Sequence, residues 1–269
     1  MSLRRLGHRY ALPILSAAAG FLAFALPAYS GQFAVYPISI EFSRPGEVTL
    51  LTVRNADQQR LRFQVEAFAW EQNADGTLKL TDTDDILYFP QLFELAPGAT
   101  QNIRVGTTAT PGPNEKNYRI FIEQFPVAAT AVPAVGRGAA IHLQVVPKVG
   151  VPIFIRPSVV TKELTVGDIA VANGLLSFDL RNPGTVHLIP SKIRVEGRGG
   201  SGAAVFSREQ PGWYILAGGV REYRLSIPPS DCASLSDISI QVATPHEHYE
   251  GNATVAPGAC VPGAGAGAR

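Results

Sequence analysis

Few side chains in this sequence are spaced for chemistry. His246, Glu247 and His248 set two imidazoles and a carboxylate side by side, donors that can converge on a metal. No further His or Cys stands near enough in the sequence to complete such a site. Asp82, Asp84 and Asp85 look like a fragment of a calcium loop, but the glycine and the closing glutamate of that loop are missing. Ser39 and Ser43 lie in no motif that would bring a histidine to them as a nucleophile needs. No phosphate-cradling glycine pattern occurs. The expectation is a protein that is not an enzyme, with no cofactor and no metal. Asn252-Ala253-Thr254 matches a glycosylation acceptor, which matters only in a eukaryotic secretory route.

The residues that stand out form a strand. From Ile141 to Ile155 every odd position is apolar: Ile141, Leu143, Val145, Pro147, Val149, Val151, Ile153 and Ile155. The even positions are mixed, from His142 and Gln144 to Phe154 and Arg156. A strand turns alternate residues to one face, so this segment offers a long apolar ridge. Pro147 and Pro152 cannot donate to a ladder, which points to a sheet edge. Two readings stand open. The ridge is either a strand of a sandwich core, which alternates in the same way, or an edge that needs a partner to avoid aggregation.

The elements around it read as strands and turns. Leu61, Phe63, Val65, Ala67 and Ala69 alternate with Arg62, Gln64, Glu66, Phe68 and Trp70. Tyr118, Ile120 and Ile122 alternate with Arg119, Phe121 and Glu123. Further runs are expected at 48–53, 175–180, 193–195, 213–216, 221–227 and 238–242. Turns separate them at Arg44-Pro45-Gly46, Asn73-Ala74-Asp75-Gly76, Ala96-Pro97-Gly98 and Asn182-Pro183-Gly184. No run of ten residues carries a helical stripe. Many short strands, with more than 100 residues on each side of Pro157, predict an all-β chain of two sandwiches.

The first thirty residues read as a secretory signal peptide, with Arg4, Arg5 and Arg9 before an apolar run and small residues before Gly31. That run is shorter than the roughly 20 residues of a spanning helix. No other run is long or apolar enough to span, so no stable membrane insertion is expected. The predicted organisation is residues 1–30 as signal, 31–157 and 158–260 as the two sandwiches, and 261–269 as a disordered Gly/Ala tail. In an oxidising compartment the two cysteines, Cys232 and Cys260, are read as a disulfide. The chain has 23 basic and 22 acidic side chains, a balance that argues against a nucleic-acid partner.

The run Asp85-Ile-Leu-Tyr-Phe-Pro-Gln-Leu-Phe-Glu-Leu-Ala-Pro-Gly-Ala-Thr-Gln-Asn-Ile-Arg-Val105 resembles the PapD-like periplasmic pilus-assembly chaperones. So does Glu115-Lys-Asn-Tyr-Arg-Ile-Phe-Ile-Glu-Gln-Phe-Pro126. Pro90, Pro97, Gly98, Gln101, Arg104, Glu115, Tyr118, Arg119 and Pro126 carry the match. Val35-Tyr36-Pro37 and Val151-Pro152-Ile153-Phe154 before Arg156-Pro157 extend it. The resemblance implies two immunoglobulin-like sandwiches in a boomerang arrangement, located in the periplasm. It also implies pilus or fimbrial subunits and an outer-membrane usher as partners. Such a chaperone completes an unfinished subunit with its own edge strand, a process called donor-strand complementation. By position the donors here are Leu143, Val145, Pro147 and Val149, flanked by Ile141 and Val151.

The resemblance also implies an anchor for the subunit's terminal carboxylate. The two positions that hold cations in the better-studied branch are Ser39 and Pro152 here, so the chain resembles the divergent, archaic branch. Lys148, Arg119 and Arg104 are the remaining candidates for the anchor. At the hinge, Arg156 is expected to join Glu115 and an acid near Glu247–Glu250 in an interdomain ion cluster. An alternative reading is a secreted two-domain adhesion or carbohydrate-binding structural protein.

Overall fold

The structure, a computed structural model, describes residues 32–125 and 146–260. Residues 1–30, 261–269 and the predicted donors Ile141, Leu143 and Val145 lie outside the described residues. Among the described residues, every regular element apart from one short helix, α1 (Pro229–Cys232), is a strand.

The first sandwich is built from β1 (Phe33–Tyr36), β2 (Ile40–Phe42), β3 (Val48–Asn55), β4 (Leu61–Gln72), β5 (Leu78–Asp82), β6 (Ile86–Phe89), β7 (Leu92–Leu95), β8 (Thr100–Thr107), β9 (Lys116–Phe125) and β10 (Lys148–Ile155). One sheet runs β1-β3-β8-β6 and the other β2-β10-β9-β4-β5, with β7 also on β4. The alternation read in β4 and β9 sends Leu61, Phe63, Val65, Tyr118, Ile120 and Ile122 into the core between the sheets. The second sandwich follows with β11 (Thr165–Ala172), β12 (Leu175–Arg181), β13 (Lys192–Gly199), β14 (Ala204–Gln210), β15 (Val220–Ser226), β16 (Leu235–Ala243) and β17 (His248–Thr254). Its sheets run β11-β12-β15 and β14-β13-β16-β17, around a core that includes Phe178, Leu180, Val195 and Ile240. Cys232 and Cys260 form the disulfide, with Cα atoms 5.6 Å apart.

The strand expected at 213–216 is not one. Only Ile215 pairs, in a single bridge to Leu188, because Pro211-Gly212 before it and Gly218 at φ +70° after it confine the segment. Its aromatic side chains serve the joint between the sandwiches instead.

Each sandwich is tied by one buried asparagine at a strand end. Asn55 donates from Nδ2 to the carbonyls of Gln59, Leu95 and Ala96, at 2.7, 3.0 and 3.1 Å. Asn182 donates to those of Val186 and Ile215, at 2.8 and 2.9 Å, and accepts from the Gly184 amide. Both are fully buried. A side-chain amide can satisfy main-chain groups that the ladders leave over at a turn, where an apolar residue would strand them.

The two sandwiches touch through a polar and aromatic joint. The Glu115 amide donates to the Thr185 carbonyl at 2.8 Å. The Glu115 carboxylate accepts from the His187 amide at 3.2 Å and lies 2.7 Å from His187 Nδ1. The Asn73–Thr77 turn joins in, since the Glu222 amide donates to the Ala74 carbonyl at 2.7 Å. Gly76 suits that turn because its φ is +84°, a left-handed conformation that other residues rarely adopt. The expected ion cluster is therefore corrected. Glu115 does cross to the second sandwich, but its partner is His187. Arg156 pairs with Glu41 at 3.7 Å on the exposed surface of the same sandwich, and neither reaches Glu247–Glu250.

Two stability outcomes follow from these contacts. Asn55→Ala, which strands three carbonyls, should cost about 2–4 kcal/mol in urea denaturation. A loss below about 0.5 kcal/mol, the scale of a bland surface change, would show that the asparagine does not tie the first sandwich. Arg156→Ala should change stability by under about 1 kcal/mol. His187→Ala should cost more, since it uncovers the ring of Phe154 and leaves a buried carboxylate without its partner. The reverse ranking would restore Arg156 as the hinge residue.

Candidate functional site

The ridge segment folds as β10, and its edge is only partly covered. On one side β10 pairs antiparallel with β9 along its whole length. On the other, β2 runs parallel to it but meets only Ile153, Phe154 and Ile155. Among the described residues, Lys148–Pro152 therefore pair on one side alone. The Gln124 amide donates to the Pro147 carbonyl at 3.1 Å, which makes this a hydrogen-bonded pair. Antiparallel ladders alternate, so the odd residues turn their main-chain groups to β9. Lys148 and Gly150 then hold N–H and C=O groups toward the open side, and Pro152 holds a carbonyl alone. An edge of this kind is a template for another strand.

The odd side chains divide between two uses. Val151 is 2% exposed and packs in the first sandwich's own core with Ile153 and Ile155. The expectation that Val151 flanks the guest is corrected to this extent: its side chain is already enclosed by the chain that carries it. Val149 is half-buried at the margin of that core, and Pro147 is half-buried beyond it. The ridge thus leaves its own core as it is followed toward its start.

The even side chains lie on the outer face of the same sheet. A Cβ at Gly150 would meet the Phe121 ring at 2.8 Å, so glycine lets this ring lie against the edge strand. Phe121 also packs edge-on to Phe68, at 6.0 Å between centroids. Lower on this face the second sandwich covers the sheet. Phe154 stacks on His187 at 3.8 Å, and Trp70, Phe154, Leu216 and Tyr214 close over one another.

The three basic candidates for an anchor stand in different situations. Arg104 is on β8, in the opposite sheet of the sandwich, with its side chain on the exposed outer face. It is not brought to the β10 edge. Lys148 is on the edge but already has an acid: its Nζ lies 2.8 Å from Glu123 and 4.0 Å from Glu66. Arg119 is cross-strand from Pro152 in the β9–β10 register. It is 8% exposed, its guanidinium lies 4.1 Å above the Trp70 ring, and its enclosed Nε has no hydrogen-bond partner. No ion pair forms to it among the described residues. Burial holds its pKa below the ordinary arginine value. A cation taken out of water with no counter-ion is costly, and it is a natural place for an anion to bind.

Sequence reasoning missed Trp70, Phe154, His187 and Tyr214. In β4 and β10 the alternation assigns Trp70 and Phe154 to the face away from the core, yet both are buried. The only trace in the sequence is that two large aromatics occupy outward positions of otherwise amphipathic strands. Among the described residues no helix is long and apolar enough to cross a membrane.

Comparison with known proteins agrees with this architecture. Residues 32–161 match the model of the pili and flagellar-assembly chaperone, PapD N-terminal domain. No curated protein sequence matches the chain. Among solved structures, a chain of the CsuC–CsuE chaperone–tip adhesion subunit pre-assembly complex, from archaic chaperone-usher Csu pili of Acinetobacter baumannii, superposes with a TM-score of 0.55. It is 13% identical, with 84% of this chain and 98% of that chain covered. The E. coli chaperone DraB is 17% identical at a TM-score of 0.51, covering 83% and 97%. A chain from the complex of Salmonella enterica SafA pilin with the SafB chaperone is 16% identical at 0.51, with the same coverage. The match spans the first sandwich through β10, and the solved neighbours share the two-sandwich fold: the first sandwich belongs to the PapD-like family of pilus-assembly chaperones.

Proposed function

We propose that the chain is an exported, periplasmic chaperone that holds pilus or fimbrial subunits by lending them the open edge of β10 and the residues leading into it. The observation that carries this reading is the partial cover of that edge: β2 fills the slot beside Ile153–Ile155 and, among the described residues, leaves Lys148–Pro152 without a partner on that side. A subunit that lacks a strand of its own sandwich would gain both a ladder and a row of apolar side chains. Leu143, Val145, Pro147 and Val149 supply that row, each burial contributing roughly 1.5–3 kcal/mol. The signal-like residues 1–30 take the chain across the inner membrane and are removed. An outer-membrane usher is the partner that receives the loaded complex. The alternative of an adhesion or carbohydrate-binding protein is not favoured, since the family match and the solved neighbours are chaperones.

The geometry also says how a guest strand would end. A strand running parallel to β10 in the open slot heads toward the start of β2, so it must stop beside Pro152 and Ser39. Its last group is then a carboxylate, delivered to the side of the sheet where Arg119 lies buried without an acid. Arg119 is accordingly the anchor of the three candidates. The absence of cations at Ser39 and Pro152 supports placing the chain in the archaic branch.

Two measurements test the proposal. Co-expressed with a pilus subunit that lacks a strand of its own sandwich, the full chain should yield a soluble one-to-one complex. Leu143→Asp or Val145→Asp should abolish that complex while the free chain keeps its thermal midpoint. A subunit that stays insoluble with the unaltered chain, or is rescued equally well by the variants, ends the donor-strand reading. Arg119→Gln should weaken the complex by about 2 kcal/mol or more, as expected for a bond to a charged group. Lys148→Gln should weaken it far less; equal losses would remove Arg119 as the anchor.

A further inference from the structure

On the outer face of the first sandwich, three rows of side chains run across β4, β9 and β10 to the open edge. They are Gln64–Glu123–Lys148, Glu66–Phe121–Gly150 and Phe68–Arg119–Pro152. The first ends in a cation drawn back to Glu123 and Glu66. The third ends in Pro152, which is already enclosed. The middle row ends in a glycine, which weakens a strand interior by its conformational freedom and brings no side chain to pack. Two common reasons for such a glycine are absent at Gly150. Its φ is not positive, and the β9–β10 register runs without a bulge from Lys148 to Ile155. What remains is the Phe121 ring. Its Cε1, Cδ1 and Cζ atoms lie 2.8, 3.1 and 3.5 Å from the place a Gly150 Cβ would take. An aromatic of the inner strand thus stands where the edge strand's own side chain would be. Phe121 is only half-buried, with Phe68 edge-on to it at 6.0 Å and Lys148 Nζ 5.0 Å from its centroid. Among the described residues, no strand pairs with Gly150 on the slot side.

We propose that the guest strand is also read on this outer face, by a large apolar side chain that lies beside Gly150 and packs on the Phe121 ring. This rests on the reading above that a guest strand fills the open slot. Gly150 turns its N–H and C=O to that slot, so the guest's ladder bonds to this row directly. Residues abreast on paired strands share a face, with Cβ atoms about 5 Å apart. The guest residue beside Gly150 therefore projects on the outer face. Across an ordinary edge residue, the β9 side chain would stand two strand spacings away, about 10 Å. Across a glycine overlaid by the ring, it comes within contact. The flanking rows offer no such surface, since Lys148 is engaged with two carboxylates and Pro152 is enclosed. A polar guest residue at this position keeps the ladder and forgoes the ring. A carboxylate there would join a face where two acids already share one ammonium. The apolar ridge sorts guests by their groove, and this contact sorts them by one outward residue of the strand that borders the groove.

The test uses the full chain without its first thirty residues and acetylated octapeptides of alternating valine and serine. In two of them a central serine is replaced by phenylalanine or by glutamate. Affinities are read by titration calorimetry. The parent peptide should bind through its ladder and its valine face. The phenylalanine peptide should bind about three- to tenfold more tightly than the parent. That gain should fall below about twofold in Phe121→Ala. It should also shrink in Gly150→Ala, whose Cβ displaces the ring, so either variant decides if the other loses its fold. No gain with phenylalanine, or a gain that survives the variants, overturns the role of Phe121 while the open edge stands. A gain with glutamate instead would mean that Lys148 reads the guest, and overturns it as well. If the parent peptide does not bind, the open-edge reading on which this rests is refuted.

Discussion

The whole arrangement depends on how far one short strand reaches along another. β2 pairs with β10 over Ile153–Ile155 and no farther. Had it run on beside Gly150 and Lys148, their main-chain groups would be satisfied and the sheet would present a finished edge. As it stands, the chain keeps an unpaired ladder beside an apolar ridge, a combination that proteins ordinarily avoid or cover. One proline limits the hazard. Pro152 removes a donor from the open side of the strand, so a copy of the same strand cannot complete a full ladder with it.

The second sandwich changes the meaning of the sheet's outer face. Trp70 and Phe154 would be exposed aromatics on an isolated first sandwich; in the chain they form an apolar cluster with Tyr214 and Leu216. Covering that face has an electrostatic consequence. Arg119 is drawn out of water by its neighbours while no carboxylate accompanies it. Of the two acids four residues from it in sequence, Glu115 is engaged with His187 across the joint and Glu123 with Lys148. A cation enclosed without its counter-ion is a standing free-energy cost, and binding an anion relieves it.

Much of this could be read from the chain alone, and the limits are instructive. Period-two alternation identified β4, β9 and β10 because a half-buried strand must segregate its side chains by face. The pairing of Cys232 with Cys260 follows from reading the chain, with its two cysteines, as exported. The segment 213–216 failed as a strand although its composition suits one, because strand formation needs a neighbour with free main-chain groups along its length, and Leu188 offers a single pair. The hinge failed in a different way. Glu115 was recognised as a residue that crosses the joint, but its partner proved to be a histidine in the connection after β12, which carries no local signal.

Residue order therefore determined the strand content, the two-sandwich organisation, the turn positions and the apolar ridge, since each depends on alternation or turn chemistry within about ten residues. Tertiary structure alone decided which part of the ridge is enclosed and which basic residue lacks an acid. Val151 and Val149 are the same side chain two positions apart on one face, yet only Val151 is fully inside the core. Lys148 and Arg119 carry the same charge, yet Lys148 sits opposite Glu123 while Arg119 lies on a tryptophan under the second sandwich. Burial and pairing are set by what other segments bring to a position, and those segments lie outside the local window: Glu123 is 25 residues from Lys148, and Trp70 is 49 from Arg119.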